Sequence, residues 1–307
     1  MTTALFIIAI IAGFAILIWG ADRFIDGAAS IANNFGVSPL IVGLTIVGFG
    51  TSAPEMLVSA LASFDGVPAL GIGNAIGSNI ANIGLVLGIT LLISPLVVHS
   101  DILKREVPYL AFVMVMVVFL LWDQHLGRGD GIVLFSGFIL TLAAMTFLAL
   151  RSSKTDALSQ EFEEEFAELE MTTTQAIMSF LIGLMALLLG SKALVWGATG
   201  VATLLGVSDL VIGLTIVAIG TSLPELAASI ISVLKNKHDI AVGNIIGSNI
   251  FNLLAVLAMP GLIAPSFIDP AVLQRDIPMM MGLFILLYIF ARVGKNGQVG
   301  RYAGVVL

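Results

Sequence analysis

The segment Gly-Thr-Ser-Ala-Pro-Glu occupies residues 50–55, and Gly-Thr-Ser-Leu-Pro-Glu occupies residues 220–225, each inside an apolar stretch. The glutamates that end the two segments, Glu55 and Glu225, are 170 positions apart. A carboxylate inside a membrane costs at least about 2.5 kcal/mol, so carboxylates there are rarely accidental. Two of them in matching contexts therefore predict a functional site.

The offset of 170 also relates the sequence around the two segments. Residues 36–55 and 206–225 are identical at 14 of 20 aligned positions. Further matches at this offset are Gly73-Asn74 with Gly243-Asn244, and Gly77-Ser78-Asn79-Ile80 with Gly247-Ser248-Asn249-Ile250. We interpret the chain as a tandem duplication with one acidic site in each half.

Composition predicts a helical membrane protein. Hydrophobic residues make up 58 % of the chain and charged residues 11 %, and the mean hydropathy is +1.08. Soluble domains do not have this composition. The chain has no cysteine, which excludes disulfides and thiolate metal sites. The first apolar stretch, 4–19, has neither a basic start nor a cleavage pattern, and we expect it to be a retained span.

The hydrophobic pattern predicts an all-α polytopic membrane protein with ten transmembrane helices. Five spans fall in a first repeat at 1–150 and five in a second at 174–307, with an acidic linker at 151–173 between them. An odd number of spans per half makes the second half enter the membrane in the opposite sense, which gives inverted repeats. The expected spans are 4–32, 37–63, 70–93, 107–122, 131–150, 174–203, 207–234, 240–263, 277–292 and 298–307. The last is expected to be short or cut off, because Leu307 aligns with the middle of the fifth span.

The basic residues predict the orientation. With the N-terminus outside, nine lysines and arginines fall on the cytoplasmic side and three outside, with Arg301 in the last span assigned to neither, which agrees with the positive-inside rule. The linker at 151–173 would then be cytoplasmic, and we expect the protein in the cell (inner or plasma) membrane. Seven of the 20 acidic residues lie in this linker, so the net charge of −7 says little about partners. The linker is interpreted as a solvated connection, with a cation sensor as the alternative.

Each glutamate lies just after a proline in a membrane span. Pro54 has no amide hydrogen, so the carbonyl of Gly50 loses its usual helical donor. Thr51 and Ser52 are expected to lie with Glu55 at the resulting break in the helix, and such breaks at membrane depth face a cavity or protein. The second half repeats the arrangement with Thr221, Ser222, Pro224 and Glu225.

The segments around 73–82 and 243–252 add polar groups and small residues. Ser78 and Asn82 share one helix face at i and i+4, as do Ser248 and Asn252. The two asparagines could brace a glutamate or bind an ion through the amide oxygen. Glycines at positions 73, 77, 243 and 247 are expected to allow close approach of helices.

Together these groups predict an all-oxygen site for a hard cation such as calcium or sodium. The site contains no imidazole or thiolate of the kind that zinc or copper prefers. The alternative for the glutamates is a structural carboxyl held neutral in a dry interior. We expect no cofactor and no nucleic-acid partner, and the oligomeric state stays open.

The paired motifs resemble the alpha repeats of the cation/calcium exchanger superfamily, in particular its prokaryotic sodium/calcium exchanger branch. The resemblance covers nearly the whole chain and implies a secondary active antiporter, not an enzyme, that exchanges about three sodium ions for one calcium by alternating access near the midplane. It also implies that sliding of the first and sixth helices switches access. The resemblance assigns calcium to Glu55, Glu225 and the carbonyls of Thr51 and Thr221. It assigns sodium to Ser52, Ser78, Ser222, Ser248 and the backbone of Gly48 and Ala218.

One departure bears on the stoichiometry. Many proteins that resemble this chain carry an aspartate at one of the positions held here by Asn82 and Asn252. Here both are neutral, so the central charge is −2 from Glu55 and Glu225, which balances one calcium or two sodium ions. Exchange stoichiometry and coupling to protons therefore stay open.

Two other functions remain as alternatives. The calcium/proton antiporter branch typically has a glutamate soon after its Gly-Asn, whereas Ala75-Ile76 and Ile245-Ile246 follow here. A cation channel usually builds its pore from symmetric subunits with weak sites, whereas this chain carries two deep carboxylates in one duplicated sequence.

Overall fold

A computed structural model describes residues 2–97, 105–152, 171–206, 218–293 and 298–307. The described residues are overwhelmingly helical. The helices are α1 (Thr2–Phe35), α2 (Pro39–Val42), α3 (Gly48–Phe64), α4 (Pro68–Ala81), α5 (Gly88–Ile93), α6 (Glu106–Leu120), α7 (Arg128–Ser152), α8 (Thr173–Leu204), α9 (Ala218–Thr221), α10 (Leu223–Leu234), α11 (His238–Phe251), α12 (Ala258–Ile263), α13 (Ile277–Val293) and α14 (Arg301–Val306). Four π-helical segments connect or extend them, at Gly43–Val47, Asn82–Leu87, Asn252–Val256 and Val272–Asp276.

Seven helical runs in the described part of the chain are long and apolar enough to cross a membrane. They are Thr3–Phe35, Pro39–Phe64, Pro68–Ile93, Arg128–Phe147, Thr173–Leu204, His238–Ile263 and Val272–Val293. Two further apolar helices, α6 and α10, are shorter. The prediction of a polytopic helical membrane fold is therefore confirmed, and the count of ten stays a prediction.

The predicted boundaries lie within a few residues of the observed ones for most spans. The third span, expected at 70–93, runs from Pro68 to Ile93, and proline suits the first turn of a helix because no donor is lost there. The sixth begins with a capping box in which Thr172 and Gln175 satisfy each other's backbone amides. Residues 207–217 of the seventh span, and 153–170 of the acidic linker, lie outside the described residues. The last helix, α14, is short.

Helices α1 and α8 pack against each other along most of their length. Their contacts recur every seven residues, and glycine is required because the backbones touch. A Cβ on Gly27 would lie 2.4 Å from the backbone nitrogen of Phe180, and one on Gly183 would lie 2.3 Å from that of Phe24. The glycines involved are Gly13, Gly20 and Gly27 in α1 and Gly183, Gly190 and Gly197 in α8. Small residues allow this close approach in membranes, where packing drives helix association.

The apolar interior is divided into two clusters. The larger one is built around the run His238–Ile263, whose most apolar stretch is wholly buried. The smaller one lies between the α1–α8 pair and the neighbouring helices, with Phe24 stacked on Phe180. The helical pair therefore packs on the rest of the protein through a cluster of its own.

Two short antiparallel strand pairs join distant parts of the chain. Strand β1 (Leu96–Val97) pairs with β4 (Gln298–Val299), and β2 (His125–Leu126) pairs with β3 (Ser266–Phe267). Each pair links a turn of the first half to a turn of the second. The turns in each pair must therefore lie at the same end of the helical bundle.

The two proline-containing motifs differ in backbone structure. The predicted break is wrong for the first half, where α3 continues through Pro54. It is confirmed in the second half, where Ser222 separates α9 from α10 and Pro224 lies in the first turn of α10. A proline in a first turn costs no hydrogen bond, whereas one inside a helix leaves a carbonyl without its donor.

The glycines of the two Gly-Asn segments were expected to allow close approach of helices. Gly243 and Gly247 do so: a Cβ on Gly247 would lie 2.3 Å from the carbonyl oxygen of Leu44. For Gly73 and Gly77 no described atom lies within 4 Å of a Cβ position. The residues that match Leu40, Gly43 and Leu44 at the offset of 170 are 210, 213 and 214, which lie outside the described residues, so the expectation for Gly73 and Gly77 stays a prediction.

Candidate functional site

The two motif glutamates are both buried in the helical interior. Glu55 in α3 and Glu225 in α10 are each 1 % exposed. The hydroxyl of Ser52 donates to Oε1 of Glu225 over 3.5 Å, a long hydrogen bond that links the two halves directly. Glu55 follows Ser52 by three positions in α3, so both side chains lie on the same face of that helix. Residues far apart in sequence therefore form one acidic centre.

Thr51 also contacts residues of the second half. Its hydroxyl lies 3.2 Å from Oδ1 of Asn244, 3.3 Å from Oγ of Ser248 and 3.4 Å from the carbonyl oxygen of Gly48. The hydroxyl of Ser248 also donates to that carbonyl over 3.4 Å. The predicted residues Gly48, Thr51 and Ser248 therefore lie together. Their approach depends on Gly48, because a Cβ there would lie 3.1 Å from the backbone nitrogen of Ser248.

Two further asparagines, Asn74 and Asn244, hold the main chain of the glutamates. The amide of Asn74 donates to the main-chain carbonyl of Glu55 over 3.1 Å, and that of Asn244 donates to the carbonyl of Glu225 over 3.4 Å. Asn244 also donates to Oγ of Ser229 over 3.0 Å. Each asparagine follows its glutamate by 19 positions, a shared spacing that could have indicated this role from the sequence.

Replacing Asn244 by alanine is expected to weaken the site without removing a charge. The change deletes the amide that fixes the carbonyl of Glu225 and the acceptor that receives the hydroxyl of Thr51. Because both partners are buried, we expect transport to need about tenfold higher ion concentrations, from the 1–3 kcal/mol that an unpaired buried group costs. The measurement is the dependence of calcium uptake into vesicles on calcium concentration. Asn33→Ala, an exposed asparagine at the end of α1, is the control.

Several polar atoms of the predicted site are buried without a hydrogen-bond partner in the described part of the structure. They are both carboxyl oxygens of Glu55, Oε2 of Glu225, Oγ of Ser222, and the amide oxygens and nitrogens of Asn82 and Asn252. Buried polar groups without a partner are rare in proteins and call for an explanation, such as an ion or water. Eight such atoms on five residues of the predicted site fit a centre that receives a cation.

For the other predicted residues the structure gives their burial and their place in the helices. Ser78 is buried at 5 % exposure, and Thr221 is partly buried beside Ser222. Ala218 is the first residue of α9. Asn82 and Asn252 each begin a π-helical segment, a feature that the sequence did not reveal. π-Helical turns occur often at functional sites because they re-aim side chains.

The donor set is composed of oxygen. Two carboxylates, hydroxyls, amide oxygens and the Gly48 carbonyl converge, and no cluster of three or more His, Cys, Asp or Glu side chains is found among the described residues. Oxygen ligands are those of calcium and sodium, whereas zinc and copper favour nitrogen and sulfur. The arrangement can bind and release hard cations, and it shows no nucleophile paired with a base.

Comparison with known proteins places the chain in a family. The family model of the sodium/calcium exchanger protein matches residues 5–147 and 175–307. The protein is 47 % identical to CaxA of Alkalimonas amylolytica over 97 % of this chain and 93 % of that one. It is 40 % identical to the inner membrane protein YrbG of Escherichia coli K12 over 100 % of this chain and 93 % of that one.

Its fold is similar to that of the solved sodium-calcium exchanger NCX_Mj. The TM-score is 0.83 at 34 % sequence identity, with 99 % of this chain and 95 % of that chain covered. The resemblance noted from the doubled motifs is thereby confirmed. The chain belongs to the sodium/calcium exchanger protein family and is a helical membrane antiporter for calcium and a counter-cation, not an enzyme.

Proposed function

We propose that this protein exchanges sodium for calcium across the membrane by alternating access at a site built on Glu55 and Glu225. The observation that carries the proposal is the pair of buried carboxyl groups, one from each half, joined through Ser52 and left with unpaired oxygens. A cation is the natural partner for these oxygens. The name of NCX_Mj supports sodium and calcium as the ions.

The charge of the site explains why the two ions would be exchanged. Two carboxylates held together in a low dielectric are costly unless a cation neutralises them. One calcium ion or two sodium ions match the charge of −2, and both would use the same glutamate oxygens. The two cargoes therefore exclude each other, which is the physical basis of antiport. No bound cofactor is needed.

Within this proposal the site residues have distinct roles. Calcium would take the carboxylates of Glu55 and Glu225 and the main-chain carbonyls of Thr51 and Thr221. Asn82 and Asn252 would offer amide oxygens to an ion or hydrogen bonds to the glutamates. Sodium would use the hydroxyls of Ser52, Ser78, Ser222 and Ser248 and the backbone of Gly48 and Ala218.

The topology we propose is ten helices in two inverted repeats, with the N-terminus outside and the acidic linker at 151–173 in the cytoplasm. The strand pairs support this count. With ten spans, six crossings separate β1 from β4 and four separate β2 from β3, so each pair would lie on one side of the membrane. An odd number of crossings would put paired strands on opposite sides. The printed name of YrbG favours the inner membrane.

A comparison of two gradients tests the proposed coupling. Purified protein in vesicles is expected to accumulate calcium when sodium is loaded inside and diluted outside. An imposed proton gradient without sodium is expected to give no more than background uptake, because no proton-binding acid follows the Gly-Asn at 73–74 or 243–244. Both fluxes are measured with a calcium-sensitive dye in the same preparation.

The opposite result has a clear meaning. Uptake driven by protons and not by sodium would make the protein a calcium/proton antiporter. Calcium flux that rises with concentration without saturating, with no requirement for a counter-gradient, would indicate a channel. Either outcome would contradict sodium–calcium exchange.

A further inference from the structure

A cluster of ion pairs joins α1 to the turn between α10 and α11. The amine of Lys235 lies 2.7 Å from Oδ1 of Asp22 and 2.7 Å from Oδ1 of Asp26. The amine of Lys237 lies 3.2 Å from the same oxygen of Asp26. Burial lowers the pKa of Lys237, and Asp26 partly offsets this effect. The cluster thus ties α1 to the two helices that carry Glu225 and Asn244.

The duplicated sequence contains a second version of this contact with the charges exchanged. At the offset of 170, Asp22 aligns with Lys192 in α8, and Lys235 aligns with Asp65 in the turn between α3 and α4. In the observed contact the acid is on α1 and the lysine is in the turn. At the aligned positions the lysine is on α8 and the acid is in the turn. Opposite charge is kept at these two positions in both halves, whereas Asp26 and Lys237 align with the uncharged Trp196 and Val67.

Only one of the two pairs is formed. Asp22 and Lys235 are in contact, whereas Asp65 and Lys192 are exposed and make no ion pair with each other or with another described residue. On the side of the formed pair, Gly243 and Gly247 of α11 pack on the backbone of the π-helical segment Gly43–Val47 and the end of α2.

Helices α1 and α8 are joined by backbone contacts at six glycines, so they can shift only together. A shift of this pair would move Asp22 and Lys192 at the same time, the first away from Lys235 and the second toward Asp65. Because the halves are related in sequence, the arrangement in which the second ion pair is formed and the first is open should have a similar free energy. Two states of similar free energy are what a switching element requires.

We propose that Asp22–Lys235 and Asp65–Lys192 are alternate latches: the first holds the state seen here, and the second forms when the α1–α8 pair shifts to the opposite state. The proposal rests on the inverted duplication described under the proposed function. It assigns a role to Asp65 and Lys192, which lie outside the ion site. It also explains why both halves keep opposite charges at these positions.

Cross-linking tests the latches directly, because the chain has no cysteine of its own. One variant carries Asp22→Cys with Lys235→Cys, and a second carries Asp65→Cys with Lys192→Cys. A cleavable bifunctional thiol reagent is used instead of direct oxidation. A disulfide requires Cα atoms within roughly 7 Å of each other, and the Cα atoms of a Lys–Asp ion pair can lie farther apart. Each variant is treated in sodium, in calcium and without either ion.

Both pairs are expected to cross-link. The ion conditions that raise the cross-linking yield of one pair should lower the yield of the other. Each cross-link should stop exchange, and cleavage of the reagent should restore it. Failure of the Asp65–Lys192 pair to cross-link in every condition, while the Asp22–Lys235 pair does, would overturn the proposal. The readout does not depend on which ions are carried, so it is distinct from a failure of sodium–calcium exchange.

Charge reversal gives a second test that needs no reagent. Lys192→Asp places two acids face to face in the second latch and is expected to slow exchange by about two- to fivefold, the range of a partly exposed ion pair. Adding Asp65→Lys to the same chain should restore the rate. Arg128→Asp, at the exposed start of α7, is the matched reversal and should have no effect. Equal rates in the single and double variants would contradict the proposal.

Discussion

Glu55→Gln and Glu225→Gln are each expected to lower sodium-driven calcium uptake by more than about a hundredfold. Each change keeps the shape of the side chain but removes one of the two negative charges in the buried centre. The lost carboxylate leaves part of the bound cation's charge without an opposite charge, and removing one partner of a buried pair of opposite charges costs about 3–5 kcal/mol, a factor of a hundred or more in binding. The remaining single carboxylate cannot neutralise a calcium ion.

The measurement is calcium uptake by sodium-loaded vesicles that contain equal amounts of folded protein. Glu106→Gln, at the start of α6, makes the same chemical change outside the centre and should leave uptake near the original rate. Size-exclusion profiles in detergent establish that each variant folds. Normal exchange by a well-folded Glu55→Gln or Glu225→Gln variant would remove these residues from the ion path.

Gly183→Leu is expected to separate α8 from α1 and to abolish stable folding. The new side chain would begin 2.3 Å from the backbone nitrogen of Phe24, closer than any real contact, so one helix must move away from the other. Overpacking in a close-packed interior typically costs about 1–3 kcal/mol, and here the obstacle is backbone that has no rotamer with which to yield. The loss of helix contact adds to that cost.

Thermal unfolding of the purified protein in detergent, followed by the loss of the monodisperse peak, measures the effect. Gly282→Leu is the matched control in α13, because no described atom lies within 4 Å of its Cβ position. We expect a large fall in unfolding temperature, or no recoverable protein, for the first variant and little change for the second. Similar stability of the two variants would show that the α1–α8 contact is not needed for the fold.

Much of the architecture could be predicted from residue patterns alone. The apolar spans placed most helices to within a few residues, because a membrane requires long, uninterrupted apolar helices. The doubled Gly-Thr-Ser-x-Pro-Glu motif identified both glutamates, since buried acids are rare in such a sequence. The hydroxyl of Thr51 and the carbonyl of Gly48 were expected at the site and do lie together.

The local backbone was harder to predict. Pro54 was expected to break its helix, yet α3 continues through it, whereas the equivalent Pro224 starts a new helix after Ser222. The π-helical turns at Asn82 and Asn252 could not be recognised in the sequence, because a single shifted hydrogen bond leaves the hydrophobic pattern almost unchanged. The bracing of each glutamate carbonyl by Asn74 or Asn244 is a contact between helices, and its distances are fixed by packing.

The sequence by itself determined the membrane class, the duplication, the two acids and the oxygen-rich chemistry around them. These follow from solvation and composition, which act on each segment separately. Only the tertiary structure decided that α3 continues through Pro54 while Pro224 starts a new helix, and that Lys235 is paired while Lys192 makes no ion pair with a described residue. The two halves have similar sequences and therefore similar local backbone and solvation preferences. The structural differences between them arise only when both halves pack around one shared centre.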